Sequence, residues 1–303
     1  MNQYKKQILA SKIALKRSQN NERQLEQSLQ QFFKGLSKEV LDNLEEYWSE
    51  YQLLQGQISL IVKPIEDALE EYNRILERYI RREYKLGISE AKRLVELTVN
   101  RQANKSIFDK LRKKVNIKAT RNNLFGTLDD ATEELLSKTF IASKRTLARV
   151  ATDINSLITA GYTSGKGINV VASLLQTRFN QLQTWEAKRI ARTEIHNAHN
   201  NAVMKTYESL NVEYTQWISA GDDGRTRDSH LGPADGVPDG VDGEIIPMGG
   251  TYSNGLAYPG DTSGPIEEWI NCRCSNAPYV MPYGYMAPPD KEQFREDDLI
   301  RIS

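Results

Sequence analysis

Ile58, Ile61, Ile65, Ala68, Tyr72, Ile75 and Tyr79 recur at alternating intervals of three and four. Spaced in this way they make one stripe on a helix that packs along its length against another helix. The run suits either a coiled-coil seam or packing inside one bundle, and a bundle needs no second chain. Pro64 falls within the stripe, so a helix starts there or kinks. Helical patterning of this kind extends from residue 1 to about 210. Gly87 followed by Ser89 predicts a break, with a new helix running towards 115 and a loop around 116–127. A long helix then covers "TLDDATEELLSKTFIASKRTLARVATDINSLITAGY", whose acidic start and basic middle suit the helix dipole. "GYTSGKG" (161–167) reads as a turn; it lacks the Gly-Lys-Ser/Thr ending of a phosphate loop. Two more helices are expected at 168–182 and 185–209, the second with Thr184 as its N-cap.

Near residue 211 the pattern changes. "VEYTQWIS" has the β-branched and aromatic bias of a strand. Glycine, proline and aspartate dominate 221–265 and predict loops with short strands, and "APYVMPY" (277–283) reads as a last strand. "PPDKEQFREDDLIRIS" reads as a mobile tail. The fold class expected is α+β: a long, mainly helical N-terminal region followed by a small α+β C-terminal domain rich in loops. In residues, this means a helical arm or bundle over 1–165, a second domain over 166–285 and a flexible tail over 286–303.

The formal net charge is zero, but the charges are unevenly placed. Residues 1–200 carry 33 lysines and arginines against 23 acidic residues, whereas 201–303 carry 7 against 17. The densest basic segment, 101–121, contains Arg101, Lys105, Lys110, Arg112, Lys113, Lys114, Lys118 and Arg121 against Asp109 alone. Such a patch can lie along a phosphate backbone, although many charge runs are only solvated helix faces. The basic N-terminus has no continuous apolar run or cleavage site, so no secretion signal is read there. Nor does any stretch reach the ~18 apolar residues of a membrane span.

Both cysteines of the chain, Cys272 and Cys274, stand in "EEWINCRCSNAP". They close too small a loop for an ordinary structural disulfide, which suits a reducing compartment. With His230 they give three donors that zinc prefers, and Asp222, Asp228, Asp235 or water would have to supply a fourth. Alternatively one thiol is a nucleophile with His230 as base, or both are small apolar residues packed beneath the loops. The residue types leave all three readings open. His196 and His199, one helical turn apart, fit a polar helix face better than a metal pair. Glu194 has no partner carboxylate at useful spacing for acid–base chemistry. The aspartates of "DGVPDGVDGE" depart from calcium-loop spacing and read as turn formers.

The order "RIARTE" on a helix, then "WISAGDDGRTRDSH", "ADG", "YPGD" and "INCRC" resembles phage minor head proteins of the Mu F type, the head morphogenesis family, over roughly 165–280. The resemblance implies a structural component of a tailed-phage capsid rather than an enzyme. It implies association with the portal protein during head assembly, and a part in DNA packaging or ejection. DNA, scaffolding protein and major capsid protein are further partners it suggests; the capsid interior, and the host cytoplasm during assembly, are the places. The family pattern falls on Arg192, Thr193 and Glu194, on Asp223, Arg225 and His230, on Asp235 and Gly236, and on Asn271, Cys272, Arg273 and Cys274. Some relatives have a Cys-x-x-Cys pair where this chain has Arg227 and His230, which with the later thiols makes a four-thiolate zinc site. Here Arg227 replaces one ligand, which favours a loop corner held by hydrogen bonds, the two thiols locking it against the His230 loop with or without zinc. The rival functions are a thiol- or metal-dependent hydrolase of head maturation and an accessory DNA-binding protein.

Overall fold

The computed structural model describes residues 3–49, 53, 55–102 and 121–302, with side chains over 17–49, 53, 55–98 and 129–302. Lys105, Lys110, Arg112, Lys113, Lys114 and Lys118 of the basic segment lie outside the described residues, and Arg121 is described by its backbone alone. The helices are α1 (Gln3–Tyr47), α2 (Gln55–Asp67), α3 (Leu69–Gln102), α4 (Arg121–Thr163), α5 (Ile168–Gln181) and α6 (Ala187–Ser209). There follow β1 (Tyr214–Ile218), β2 (Ile245–Pro247), a single turn of helix α7 (Ile266–Trp269), β3 (Ser275–Tyr279), β4 (Tyr285–Met286) and β5 (Ile300–Arg301). A mainly helical region thus precedes a small region with two antiparallel sheets, the expected α+β class. No helix among the described residues is long and apolar enough to cross a membrane.

The chain divides into two compact units built from interleaved stretches. One comprises Glu22–Tyr79 and Glu134–Ala191. Its core carries out the repeat that opens the sequence. Ile58, Ile61, Ile65 and Tyr72 are buried, and the ring of Phe32 on α1 stacks on Tyr72 with centroids 5.2 Å apart. Pro64 lies inside α2, and the chain breaks helical form only at Ala68 before α3 resumes. Where α4 meets α5, a Cβ on Gly161 would lie 2.6 Å from Val171, so glycine sets that close approach. A wide π turn, Leu182–Glu186, joins α5 to α6 without a break. Thr184, the expected N-cap, therefore has no free helix end to cap and donates its hydroxyl to the Asn180 carbonyl at 2.8 Å. Glu186 at the end of this turn is buried and takes Arg149 at 2.7 Å and Arg178 at 2.5 Å.

The second unit comprises Met1–Asn21, Ile80–Glu133 and Arg192–Ser303. The break expected at Gly87 is absent, because α3 runs through it. There α6 comes so near that a Cβ on Gly87 would stand 2.7 Å from the His199 carbonyl oxygen and 2.8 Å from Ala202 Cβ. The loop expected around 116–127 is helical from Arg121 onward. A three-stranded antiparallel sheet has the order β2-β1-β3, with Thr215 opposite Ile246 and Pro278, and Ile218 opposite Ser275. Pro278 is tolerated because β3 is an edge strand. Ala91, Val95, Val203, Met204 and Tyr207 of α3 and α6 form one cluster, and Trp217, Val241, Ile246, Tyr252, Leu256, Cys272 and Cys274 form another. The stretch expected as a mobile tail is fastened here. Phe294 is buried with Ile245 and Tyr279, and its backbone exchanges two hydrogen bonds with Ile245.

A sealed thiol–imidazole corner and its motif network

His230 closes a short 3₁₀ turn, Asp228–His230, and Cys272 and Cys274 stand between α7 and β3. Their side chains converge although more than forty residues separate them in sequence. His230 Nδ1 lies 3.6 Å from Cys272 Sγ and 3.5 Å from Cys274 Sγ, and the three donor atoms lie within 4.8 Å of one another. On its far side the ring meets Glu268: Nε2 is 2.8 Å from Oε2, which also accepts the Ser229 hydroxyl at 2.9 Å. Trp217 covers the ring edge-on at 5.1 Å. Cys272, Cys274 and His230 are 3%, 1% and 1% exposed. The Cys274 thiol donates towards Cys272, which holds the Cys272 thiol well below its ordinary range against the opposing effect of burial; His230 adds to this. The same contact, together with burial, pushes Cys274 up.

This donor set fits a metal ion. Tetrahedral zinc with ordinary bond lengths places a sulfur and a nitrogen ligand roughly 3.5 Å apart, the separation of both sulfurs from Nδ1. Glu268 on the outer nitrogen is the arrangement that fixes the tautomer and heading of a ligating imidazole. Among the described residues no carboxylate joins the group, so Asp222, Asp228 and Asp235 do not supply the fourth ligand weighed from the sequence. Nor does Arg227, whose guanidinium donates to the Ile270 carbonyl at 2.6 Å. Cys272, His230 and Glu268 also stand in the order of a nucleophile, a base and its orienting carboxylate. Both sulfurs are buried.

The motif residues sort into fasteners around this corner. Asn271 adopts a left-handed backbone, φ 58°, a conformation asparagine tolerates better than most residues. Thr193 Oγ1 accepts the Asn271 N–H at 3.1 Å, and Arg192 donates to Asn271 Oδ1 at 2.8 Å, so one turn of α6 holds the turn that presents both cysteines. Glu194 is half-buried on the same helix. Asn200 donates to the Cys274 carbonyl at 3.1 Å. Asp223 caps its own turn through the N–H groups of Arg225 and Thr226, pairs with Arg225 at 2.8 Å and accepts Arg273 at 3.3 Å. Asp235 ends a 3₁₀ turn and Gly236 follows with φ 82°; their service is to the turn itself. The "YPGD" loop is tied down separately, Tyr258 by Asn201 and Asp261 by the N–H groups of Ala257 and Ser263.

The histidines of α6 are not the polar face expected of them. Both are buried, because α1 and α3 cover that side of the helix in this unit. His199 Nδ1 lies 2.9 Å from Glu83 Oε1, and Ser18 and Asn21 donate to the same carboxylate at 2.7 and 2.9 Å. Burial drives Glu83 up, but the hydrogen bond and charge of His199, with Ser18 and Asn21, bring it below the usual carboxylate range. Burial, the charge of His199 and the nearby Arg192 and Arg273 push His196 down to about 3. Glu83 and Glu268 are the two functional groups that the sequence reading did not single out.

Residues 152–277, less than half of the chain, match the family described as Phage Mu protein F like protein. This segment includes α5, α6, β1, β2, the start of β3 and all three donors of the corner. Over this segment the chain is therefore similar to the Phage Mu protein F-like family. Neither the curated proteins nor the solved structures yielded a match.

Proposed function

We propose that this chain is a minor head protein of a tailed phage, a building part that assembles with the portal protein and acts in DNA packaging or ejection. The observation that carries the reading is the overlap of the Mu F-like segment with the fastening network: Arg192, Thr193, Asn271, Asp223 and Arg273 tie distant stretches of the one chain together. On this reading His230, Cys272 and Cys274 clamp a loop to the start of a strand, and zinc is the ion best matched to such donors. A metal held there ties two distant segments and turns over no substrate. DNA, scaffolding protein and major capsid protein are further contacts within the capsid interior, and assembly takes place in the host cytoplasm.

A tagged copy expressed during infection tests the reading. Portal protein should be recovered with it from the lysate, and the chain should be found in purified virions. Particles that contain the chain, in lysates where tagged chain never recovers portal protein, would remove the portal role. The hydrolase rival predicts a Cys272→Ser variant that melts like wild type and loses a measurable turnover. The DNA-binding rival predicts affinity that falls steeply between low and physiological salt.

A further inference from the structure

We propose that the β4–β5 ribbon is a docking edge that takes an extended, basic segment of a partner protein with apolar residues at alternate positions. Tyr285 is opposite Arg301 and Met286 is opposite Ile300, and the Ile302 N–H donates to the Gly284 carbonyl at 2.7 Å. Directly opposed residues share a face, and faces alternate along each strand. One face of the ribbon therefore presents Met286, Ile300 and Ile302 in a row, with Gly284 leaving a gap beside Ile302. All three are exposed, Ile302 at 55%, and Tyr283 at the ribbon's entry is 86% exposed. Further along, Ala287 and Leu299 pack against the Ile245–Tyr279–Phe294 cluster, so the ribbon is held at its base and bare at its tip.

A two-stranded ribbon by itself is marginal in water, and its outer edges offer unpaired N–H and C=O groups to another strand. Among the described residues the sheet has only β4 and β5, so both edges are open. Charge identifies the occupant. Residues 201–303 carry 17 acidic side chains against 7 basic ones, and six of the seven cations are already engaged; the seventh, Arg301, is exposed on β5 opposite Tyr285, on the other face of the ribbon from Met286, Ile300 and Ile302. Lys205 is paired with Glu208, Arg225 and Arg273 with Asp223, and Lys291 with Asp298. Arg227 and Arg295 donate to backbone carbonyls. The segment that joins β4 to β5 holds Asp290, Glu292, Glu296 and Asp297, none of them in an ion pair among the described residues. A strand added at this edge gains backbone hydrogen bonds, apolar cover for Met286, Ile300 and Ile302, and compensation for these carboxylates. An acidic strand would gain the first two and be repelled. The inference stands on the ribbon and its charge, and does not depend on the head-protein reading.

The test uses the full chain and a fluorescein-labelled peptide of alternating lysine and valine, seven residues long, read by anisotropy. Two controls replace lysine by glutamate or the central valine by proline. The basic peptide should bind at least ten-fold more tightly than either control. An Ile300→Lys/Ile302→Lys variant, whose changes are at exposed positions, should melt as wild type and lose at least ten-fold in affinity. Amide resonances of 283–287 should move on binding. Equal binding of the glutamate or proline peptide, or undiminished binding by the variant, overturns the proposal. So does sedimentation showing that the chain itself dimerises and that the same variant makes it monomeric, because the occupant is then a second copy.

Discussion

His230 Nε2 stands 2.8 Å from Glu268 Oε2, and this contact aims the opposite nitrogen at both sulfurs. Glu268 is thus a positioning residue for the corner. Glu268→Ala should cost about 1–3 kcal/mol in urea unfolding, the penalty for stranding a buried ring nitrogen. Glu268→Gln should recover part of it, since its amide oxygen can still accept the ring N–H. Where zinc is bound, Glu268→Ala should also weaken it by roughly 10–100-fold in a chelator competition.

Replacing both thiols with serine puts two hydroxyls into a dry corner against Trp217 and Tyr252. The double variant should lose on the order of 2–4 kcal/mol of stability. Added zinc should raise the melting temperature of wild type and leave the double variant unmoved, because an ion that binds only the folded corner stabilises it by mass action.

Gly87→Ala separates two opposing effects. Alanine is favoured over glycine in a helix by about 1 kcal/mol. Here its methyl would meet backbone of α6 at 2.7 Å, and overpacking of that kind costs about 1–3 kcal/mol. The expected result is net destabilisation in a urea titration. A rise in stability would mean that α6 can yield at this point.

Stability should also fall on acidification below neutral pH. His196 has its pKa lowered to about 3 from an ordinary 6.5, so between those values the unfolded chain binds a proton that the folded chain refuses. The slope is about 1.4 kcal/mol per pH unit, or about 2 kcal/mol between pH 6.5 and 5. Glu83, whose pKa is also lowered, adds a loss of the same sign once pH falls through the carboxylate range. His196→Asn should flatten the profile between pH 5 and 6.5 and leave the more acidic portion in place.

In the other unit, Glu186→Ala should cost about 1–3 kcal/mol, because it takes a buried carboxylate from Arg178 and Arg149 while Asp153 still holds Arg178 at 2.9 Å. Changing the exposed Glu134, which pairs with Lys138, should alter stability by less than about 0.5 kcal/mol. The same urea titration distinguishes the two.

The stripe from Ile58 to Tyr79 was legible because helix–helix packing is written in local spacing. The same stripe also contained what was missed. Leu76, Ile80, Glu83, Gly87, Ala91 and Leu94 continue the intervals of three and four, so a carboxylate and a glycine occupy core positions. Taken as a register rather than as punctuation, they signal a buried acceptor and a close helix approach. Glu268 had no such signal: its partner His230 is 38 residues away, and only the folded loops bring the two together. Phe294 was hidden similarly, as the one aromatic in a charged stretch whose partner is a distant strand. The three donors could be named from residue type, and packing of the thiols beneath the loops was one of the readings, but the convergence of both sulfurs on one ring nitrogen was not legible.

Ser275, the first residue of β3, comes immediately after Cys274 and lies opposite Ile218. The corner is therefore the peg from which the sheet is counted. A displacement of one place would turn every β3 side chain to the opposite face and take Tyr279 out of the cluster it shares with Ile245 and Phe294. The corner at one end of the strand and Tyr279 at the other therefore fix the same alignment from both sides.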